Sequence, residues 1–231
     1  MIVFQPAPAA HERPERFPTP FDRKAVHALA RRAAEALMQL LQQQYAAAWH
    51  LHEPGNGKMF GVLVVQDAAG NVGYLRAFSG MMNGAWHVES WAPPTFDNAA
   101  RYIVWGPGEA EMLAFAAERA ALVASMPADA HSAEAKRLAK SLRTLDATRT
   151  ARSRVLMAQI QDCYRFTNAQ AEVRPLREIF APVEPPAGAG DCAAPKLLAQ
   201  AYAEGLTPLA LAEFWWGASS STGDRREGVY Y

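Results

Sequence analysis

The chain has only two cysteines, Cys163 and Cys192, among its 231 residues. Two thiols are too few for a disulfide framework or a four-cysteine zinc site, and this content is typical of a reducing cytoplasm. No apolar run reaches the roughly 18 residues that a membrane-spanning helix requires. The first residues lack the charged start and the long apolar core of a secretory signal. We therefore expect a cytoplasmic protein that has no membrane partner and no metal site.

An excess of charge of one sign is missing as well. Lysine and arginine number 23, aspartate and glutamate also number 23, and the formal net charge is zero. A surface that binds nucleic acid would therefore have to be local. The remaining composition is 50% hydrophobic and 20% charged, which is typical of one large globular domain or two small ones.

The stretch from Pro185 to Gly217 organises the rest of the chain. A loop rich in proline and glycine leads to Asp191, a good N-cap for a helix over 192–204. The apolar run 208–216 then predicts a buried strand. A helix N-terminus lowers the pKa of a thiol and attracts anions, so Cys192 is either a polarised thiol or a small packing residue. The candidate pocket consists of Gly188, Gly190, Asp191, Cys192, Lys196 and Glu213.

Four segments follow from the pattern of the whole chain. Residues 1–21 contain five prolines and form an extended arm. Residues 22–126 hold a helix capped by Asp22, a hairpin with strands over 58–66 and 72–78, a third strand near 85–90 and a helix over 109–126. Residues 127–182 form a long basic helical excursion, and residues 183–231 complete the core. The predicted fold class is α+β, a small and mainly antiparallel sheet flanked by helices.

The helical excursion concentrates positive charge. Residues 131–165 carry eight basic and three acidic side chains. Cations spaced along a helix suit a phosphate backbone, although a merely solvated helical face is an equal alternative. The candidate RNA-binding residues are Lys136, Arg137, Lys140, Arg143, Arg152 and Arg154.

Three blocks of sequence carry a resemblance to a known family. They are GAGDCAAPKLL with GLTPLALAEFWWG (188–217), GKMFGVLVVQDAAGNVGYLRAFSG (57–80) and YRFTNAQAEVRPLREIFAP (164–182). Together they resemble the N-terminal extension of long-form RluA-type pseudouridine synthases. The resemblance implies an accessory region of an RNA-modifying enzyme, with ribosomal or transfer RNA as partner and no organic cofactor. It also implies a C-terminal isomerase domain, which carries the catalytic aspartate in that group.

No residue of this chain is predicted to be catalytic. Leu145-Asp146-Ala147-Thr148 is similar to the synthase signature, but Thr144 stands where the family has arginine, and the surroundings are helical. Whether the chain is an enzyme therefore stays open. An alternative is a ligand-binding domain with its pocket at the Cys192 helix N-terminus. The order of hairpin, helix and strand in this chain is that of a cytidine-deaminase-like core. In this chain Ala194 stands where that fold has its general acid/base glutamate.

Overall fold

The computed structural model describes residues 1–20 and 25–231, so the predicted cap Asp22 and the end of the arm at Phe21 lie outside the described residues. The chain divides into two compact units. Unit 1 comprises Met1–Thr95 and Arg165–Tyr231, and unit 2 comprises Phe96–Tyr164. The helical excursion is thus Phe96–Tyr164 rather than 127–182. The α+β class is confirmed, because helices accompany a small antiparallel sheet.

Unit 1 contains six strands and three α-helices among its described residues. They are β1 (Ile2–Val3), α1 (Ala28–Leu40), β2 (Lys58–Gln66), β3 (Val72–Phe78), β4 (Arg165–Thr167), β5 (Val173–Pro175), α4 (Leu176–Phe180), α5 (Ala193–Ala203) and β6 (Thr207–Trp216). Unit 2 contains α2 (Asn98–Ala124) and α3 (Ala133–Gln161). A π-helical turn, Leu41–Tyr45, extends α1.

The hairpin of β2 and β3 has the predicted bounds. Asp67 accepts hydrogen bonds from the N–H groups of Ala69 and Asn71, and Gly70 adopts a positive φ of 84°, so the five-residue turn is closed by its own side chain and backbone. The third strand expected near 85–90 is absent from the described structure. An isolated bridge between Met82 and Ala85 stands there instead.

The main sheet has the strand order β1-β3-β2-β6, and β2 is antiparallel to both β3 and β6. Side chains alternate between its two faces. One face, with Phe60, Val62 and Phe214, packs against α1, and the other, with Leu63 and Leu211, packs against α5. The order of hairpin, α5 and β6 is the one expected of a deaminase-like core, and that relationship stays a prediction.

Both edges of this sheet are occupied. Ile2 and Val3 pair with Tyr74 and Gly73 on the outer side of β3. On the outer side of β6, the N–H of Trp215 donates to Val229 O at 3.0 Å, and the N–H of Tyr231 donates to Glu213 O at 3.0 Å. The last residues of the chain therefore run along the strand that carries Glu213.

Unit 2 is a pair of helices. Asp97 caps α2 by accepting from the N–H of Ala99 at 2.7 Å, and Ser132 caps α3 by accepting from the N–H of Ala135 at 3.1 Å. Helix α2 begins well before the predicted residue 109 and continues through Pro107. A Cβ at Gly108 would collide with the side chain of Leu156 unless that side chain moved, so the helices approach closely at this point.

Candidate functional site

The loop before α5 is held by backbone hydrogen bonds. Gly188 and Gly190 adopt positive φ values of 75° and 90°, a conformation that favours glycine. The N–H of Asp191 donates to Gly188 O at 3.1 Å, and the N–H of Gly80 donates to Asp191 O at 2.8 Å. The loop is thereby joined to the residues that follow β3, which fixes where α5 begins.

The N-cap of α5 is Cys192, not the predicted Asp191, and the Cys192 side chain makes no capping hydrogen bond. The cap is supplied from the neighbouring strand instead. The N–H of Ala194 donates to Oε1 of Glu213 in β6 at 3.1 Å. Local sequence could not reveal this cap, because its acceptor is 19 residues away along the chain.

A cavity of about 950 Å³ opens beside this helix N-terminus in unit 1. Of the predicted pocket residues, Gly190, Cys192 and Glu213 line it, and Gly188, Asp191 and Lys196 are not among its described lining residues. Its wall is mainly apolar and comes from several elements of unit 1: Phe17, Met59, Phe166, Leu176, Ile179, Phe180, Leu198, Leu211 and Trp215. Charge enters the wall through Glu213 and Arg225.

Burial governs the ionisation of the two acids in this wall. It raises the pKa of the Glu213 carboxyl, while the hydrogen bond from Ala194 and the charge of Arg225 act in the opposite direction. Burial also raises the pKa of the Cys192 thiol, and the charges of Glu213 and Asp191 add to the effect. The predicted lowering of the thiol pKa is therefore wrong. Although the residue as a whole is exposed, the surroundings of the Cys192 sulfur raise its pKa and so do not favour the thiolate form.

Lys196 is buried and takes part in packing α5 against the sheet. Its side chain is 1% exposed, and Nζ donates to Phe78 O at 3.0 Å and to Gly80 O at 2.9 Å. These carbonyls belong to the end of β3 and the residues after it. Burial lowers the pKa of Lys196 to about 8. The lysine thus joins α5 to the sheet and does not present a charge to the cavity.

The six candidate RNA-binding residues separate into two groups on α3. Arg152 forms a two-pronged ion pair with Glu111, with Nε at 2.8 Å from Oε1 and Nη2 at 3.1 Å from Oε2. Arg137 lies 3.9 Å from Glu134. The others form no ion pair with any described residue, and all four are exposed: Lys136, Lys140, Arg143 and Arg154.

These four unpaired cations share one side of α3. At about 100° per residue, positions 136, 140, 143 and 154 fall within roughly 60° of one another. The buried residues Ala135, Leu145 and Ile160 point elsewhere. We call this side, defined by the four cations, the basic face. The sequence contained the signal as a helical periodicity, but the paired arginines could be told apart only in three dimensions.

Asp146 lies in the middle of α3, as expected of a residue outside any catalytic loop. Its Oδ1 accepts from Arg119 Nε at 3.1 Å, so it links α3 to α2. In the described part of the chain, no cluster of three or more His, Cys, Asp or Glu side chains is placed to hold a metal ion. No described helix is long and apolar enough to cross a membrane.

Comparisons with known proteins do not assign the chain to a family. No family model, curated protein or solved structure matches the chain.

Proposed function

We propose that the chain is an RNA-binding accessory region of an RNA-modifying enzyme of the RluA pseudouridine synthase type, acting in the cytoplasm beside a C-terminal isomerase domain. The observation that carries the RNA part is the basic face, where Lys136, Lys140, Arg143 and Arg154 share one side of α3 and form no ion pair with a described carboxylate. The link to this enzyme family rests on the three sequence blocks alone.

The length of the basic face suits several phosphates. Positions 136 to 154 span about 27 Å along the helix at 1.5 Å per residue. Long flexible lysine and arginine side chains can follow a backbone of variable shape along that distance, and they read charge rather than base sequence. This favours tight but sequence-tolerant contact with a structured RNA, which an adjoining catalytic domain would then modify.

Replacing Lys140 and Arg143 together by glutamate is expected to weaken RNA binding at least about tenfold at 100 mM salt, because two phosphate contacts are lost. The slope of log K against log salt should fall in magnitude by about 1.4, at roughly 0.7 per contact with single-stranded RNA. Fluorescence anisotropy with labelled total tRNA and a labelled 20-nucleotide RNA measures both quantities.

The matched control replaces Arg16 and Arg226, two exposed arginines of unit 1, by glutamate. This control changes the net charge by the same amount as the variant of Lys140 and Arg143. Its affinity for RNA should stay within about twofold of the wild type. Equal losses in the two variants would mean that overall charge, not the basic face, attracts the RNA. Wild-type binding that ignores salt would contradict the proposal directly.

A second candidate function is small-ligand binding in unit 1, and the cavity itself favours it. The wall is apolar, yet Glu213 presents a carboxylate whose Oε1 is already used by Ala194. The other carboxylate oxygen accepts no hydrogen bond from the described residues, and Glu213 lines the cavity. A flat apolar ring with an N–H group suits such a wall, since the ring replaces water and the N–H donates to Glu213. Nucleobases and aryl amines share this chemistry.

Glu213→Gln is expected to weaken binding of such a ligand about tenfold, because a charge-assisted hydrogen bond becomes a neutral one. The probes are cytosine, adenine and tryptamine, with benzoate as the anionic comparison, titrated by calorimetry at pH 7. Glu204→Gln at the exposed end of α5 is the matched control. Benzoate binding as tightly as tryptamine would argue against a role for the Glu213 charge, and no binding by any probe would remove this candidate.

A further inference from the structure

Helix α2 is apolar on two opposite sides. Its inner side packs on α3, with Gly108 against Leu156 and with Glu111 and Arg119 in ion pairs to α3. A helix of a globular protein normally buries its apolar stripe against a neighbouring element. The side away from α3 is nevertheless open to solvent in this chain.

The outer side of α2 carries no charged residue along its length. At about 100° per residue, the positions that lie opposite Gly108 are Tyr102, Ile103, Gly106, Ala110, Leu113, Ala114, Ala117, Ala120, Ala121 and Ala124. We call these residues the apolar face. The exposed fractions of Tyr102, Ile103 and Leu113 are 75%, 73% and 65%.

The apolar face is large for a surface that stays in water. Helix α2 is 27 residues long, which corresponds to about 40 Å. Monomeric proteins rarely expose a contiguous apolar patch beyond a few hundred Å², and larger patches mark interaction sites. A strip of this length, packed against a second helix, approaches the roughly 800 Å² that each partner buries in an interface of standard size.

The distribution of side-chain sizes favours a second copy of the same helix. The bulky residues Tyr102 and Ile103 stand near the start of the face, Leu113 stands near the middle, and alanines fill the end. Two copies that run antiparallel about a two-fold axis at Leu113 would place Tyr102 opposite Ala124. In a parallel pair, bulky residues would meet bulky residues, and alanines would leave gaps.

The charges beside the apolar face argue against a membrane or a nucleic acid as its partner. Glu109 and Glu118 border the apolar face on its two sides. Carboxylates at the border are repelled by anionic lipid headgroups and by nucleic acid, whereas a membrane-binding helix carries lysine or arginine there. The unpaired cations of this unit lie on α3 instead.

We propose that the apolar face of α2 is a homodimer interface, in which α2 pairs antiparallel with α2 of a second copy about a two-fold axis near Leu113. A two-fold interface of this kind is closed, so the association stops at the dimer. The basic face lies on α3, and it is left free in each copy. This proposal is independent of whether RNA binds there.

Sedimentation velocity on the full chain tests the association. The wild type is expected to be a dimer at about 50 µM, and Leu113→Glu is expected to raise the dissociation constant at least about 100-fold, because it buries a charge at the centre of the interface. Thr148→Glu, at an exposed position of α3, is the matched control and should remain dimeric. A monomeric wild type at 50 µM would overturn the proposal.

Disulfide trapping tests the antiparallel register in a background with Cys163→Ser and Cys192→Ser. Leu113→Cys alone should form a covalent dimer on mild oxidation, because the two copies of position 113 face each other across the axis. Tyr102→Cys alone should not, but Tyr102→Cys combined with Ala124→Cys should, since a disulfide requires Cα atoms within about 7 Å. Efficient trapping by Tyr102→Cys alone would show a parallel pair and refute the antiparallel arrangement.

Discussion

Gly61→Val is expected to lower the free energy of unfolding by about 2–3 kcal/mol, because it inserts a side chain where α5 meets the sheet. A Cβ at position 61 would lie 2.8 Å from Cβ of Ala193 and 3.1 Å from Cδ1 of Leu197. Both atoms belong to the buried side of α5, which cannot yield without leaving the sheet. The displaced helix would also carry Ala194 away from Glu213. Because both residues line the cavity, we expect the variant to have an altered cavity as well as a lower stability.

Urea denaturation followed by circular dichroism measures this effect. Gly61→Ala should cost less than the valine variant, since its single methyl needs only a small shift of Ala193. Thr207→Val, a similar change at the exposed start of β6, serves as control and should stay within about 0.5 kcal/mol of the wild type. A valine variant as stable as the control would mean that α5 does not pack as closely on β2 as described.

The wild type is expected to gain up to about 3 kcal/mol of stability relative to Lys196→Met as the pH rises from about 7.5 to 10.5. In the native state the pKa of Lys196 is lowered to about 8 by burial, whereas an unfolded chain holds this proton up to about pH 10.5. Between these values the unfolded state binds more protons than the native state. Raising the pH therefore favours the native state, and the gain is complete once the unfolded lysine has also lost its proton.

The comparison with Lys196→Met isolates this one group. Burial raises the pKa of Tyr74 and Tyr230, so both tyrosines oppose the gain as the pH approaches 10, but they do so equally in the two proteins. Urea titrations at four pH values give the difference in unfolding free energy. A difference that stays flat from pH 7.5 to 10.5 would show that Lys196 keeps its proton as an exposed lysine does.

The parts of unit 1 that depend on local chemistry could be predicted from the sequence. The hairpin follows from two largely apolar runs on either side of the turn that contains Asp67 and Gly70, and Gly205 ends α5 with a φ of 66° as expected. Strand β6 differs from its predicted bounds by one residue. In each case the determining residues lie within a few positions of the feature that they determine.

The features that were missed depend on residues far apart in the chain or on tertiary packing. Pro107 argues for a break in α2, but the helix continues through it because packing on α3 outweighs one lost hydrogen bond. The cap on α5 comes from Glu213, and no window around Asp191 contains it.

Only part of the candidate pocket could be predicted, because the position of its side chains also depends on tertiary packing. Glycine, cysteine and glutamate converge on the cavity, whereas Lys196, only four residues after Cys192, points to the end of β3. Sequence spacing alone does not tell which side of a helix start faces a cavity and which faces a sheet.

The occupied edges of the main sheet restrict how this molecule can aggregate. An open edge strand offers unpaired N–H and C=O groups to any other chain and is a common origin of fibrillar assembly. Here Ile2 and Val3 cover part of β3, and residues 228–231 run beside β6. Removing either terminal segment would expose backbone on an apolar strand, so trimmed forms should precipitate more readily than the full chain, even if their cores were unchanged.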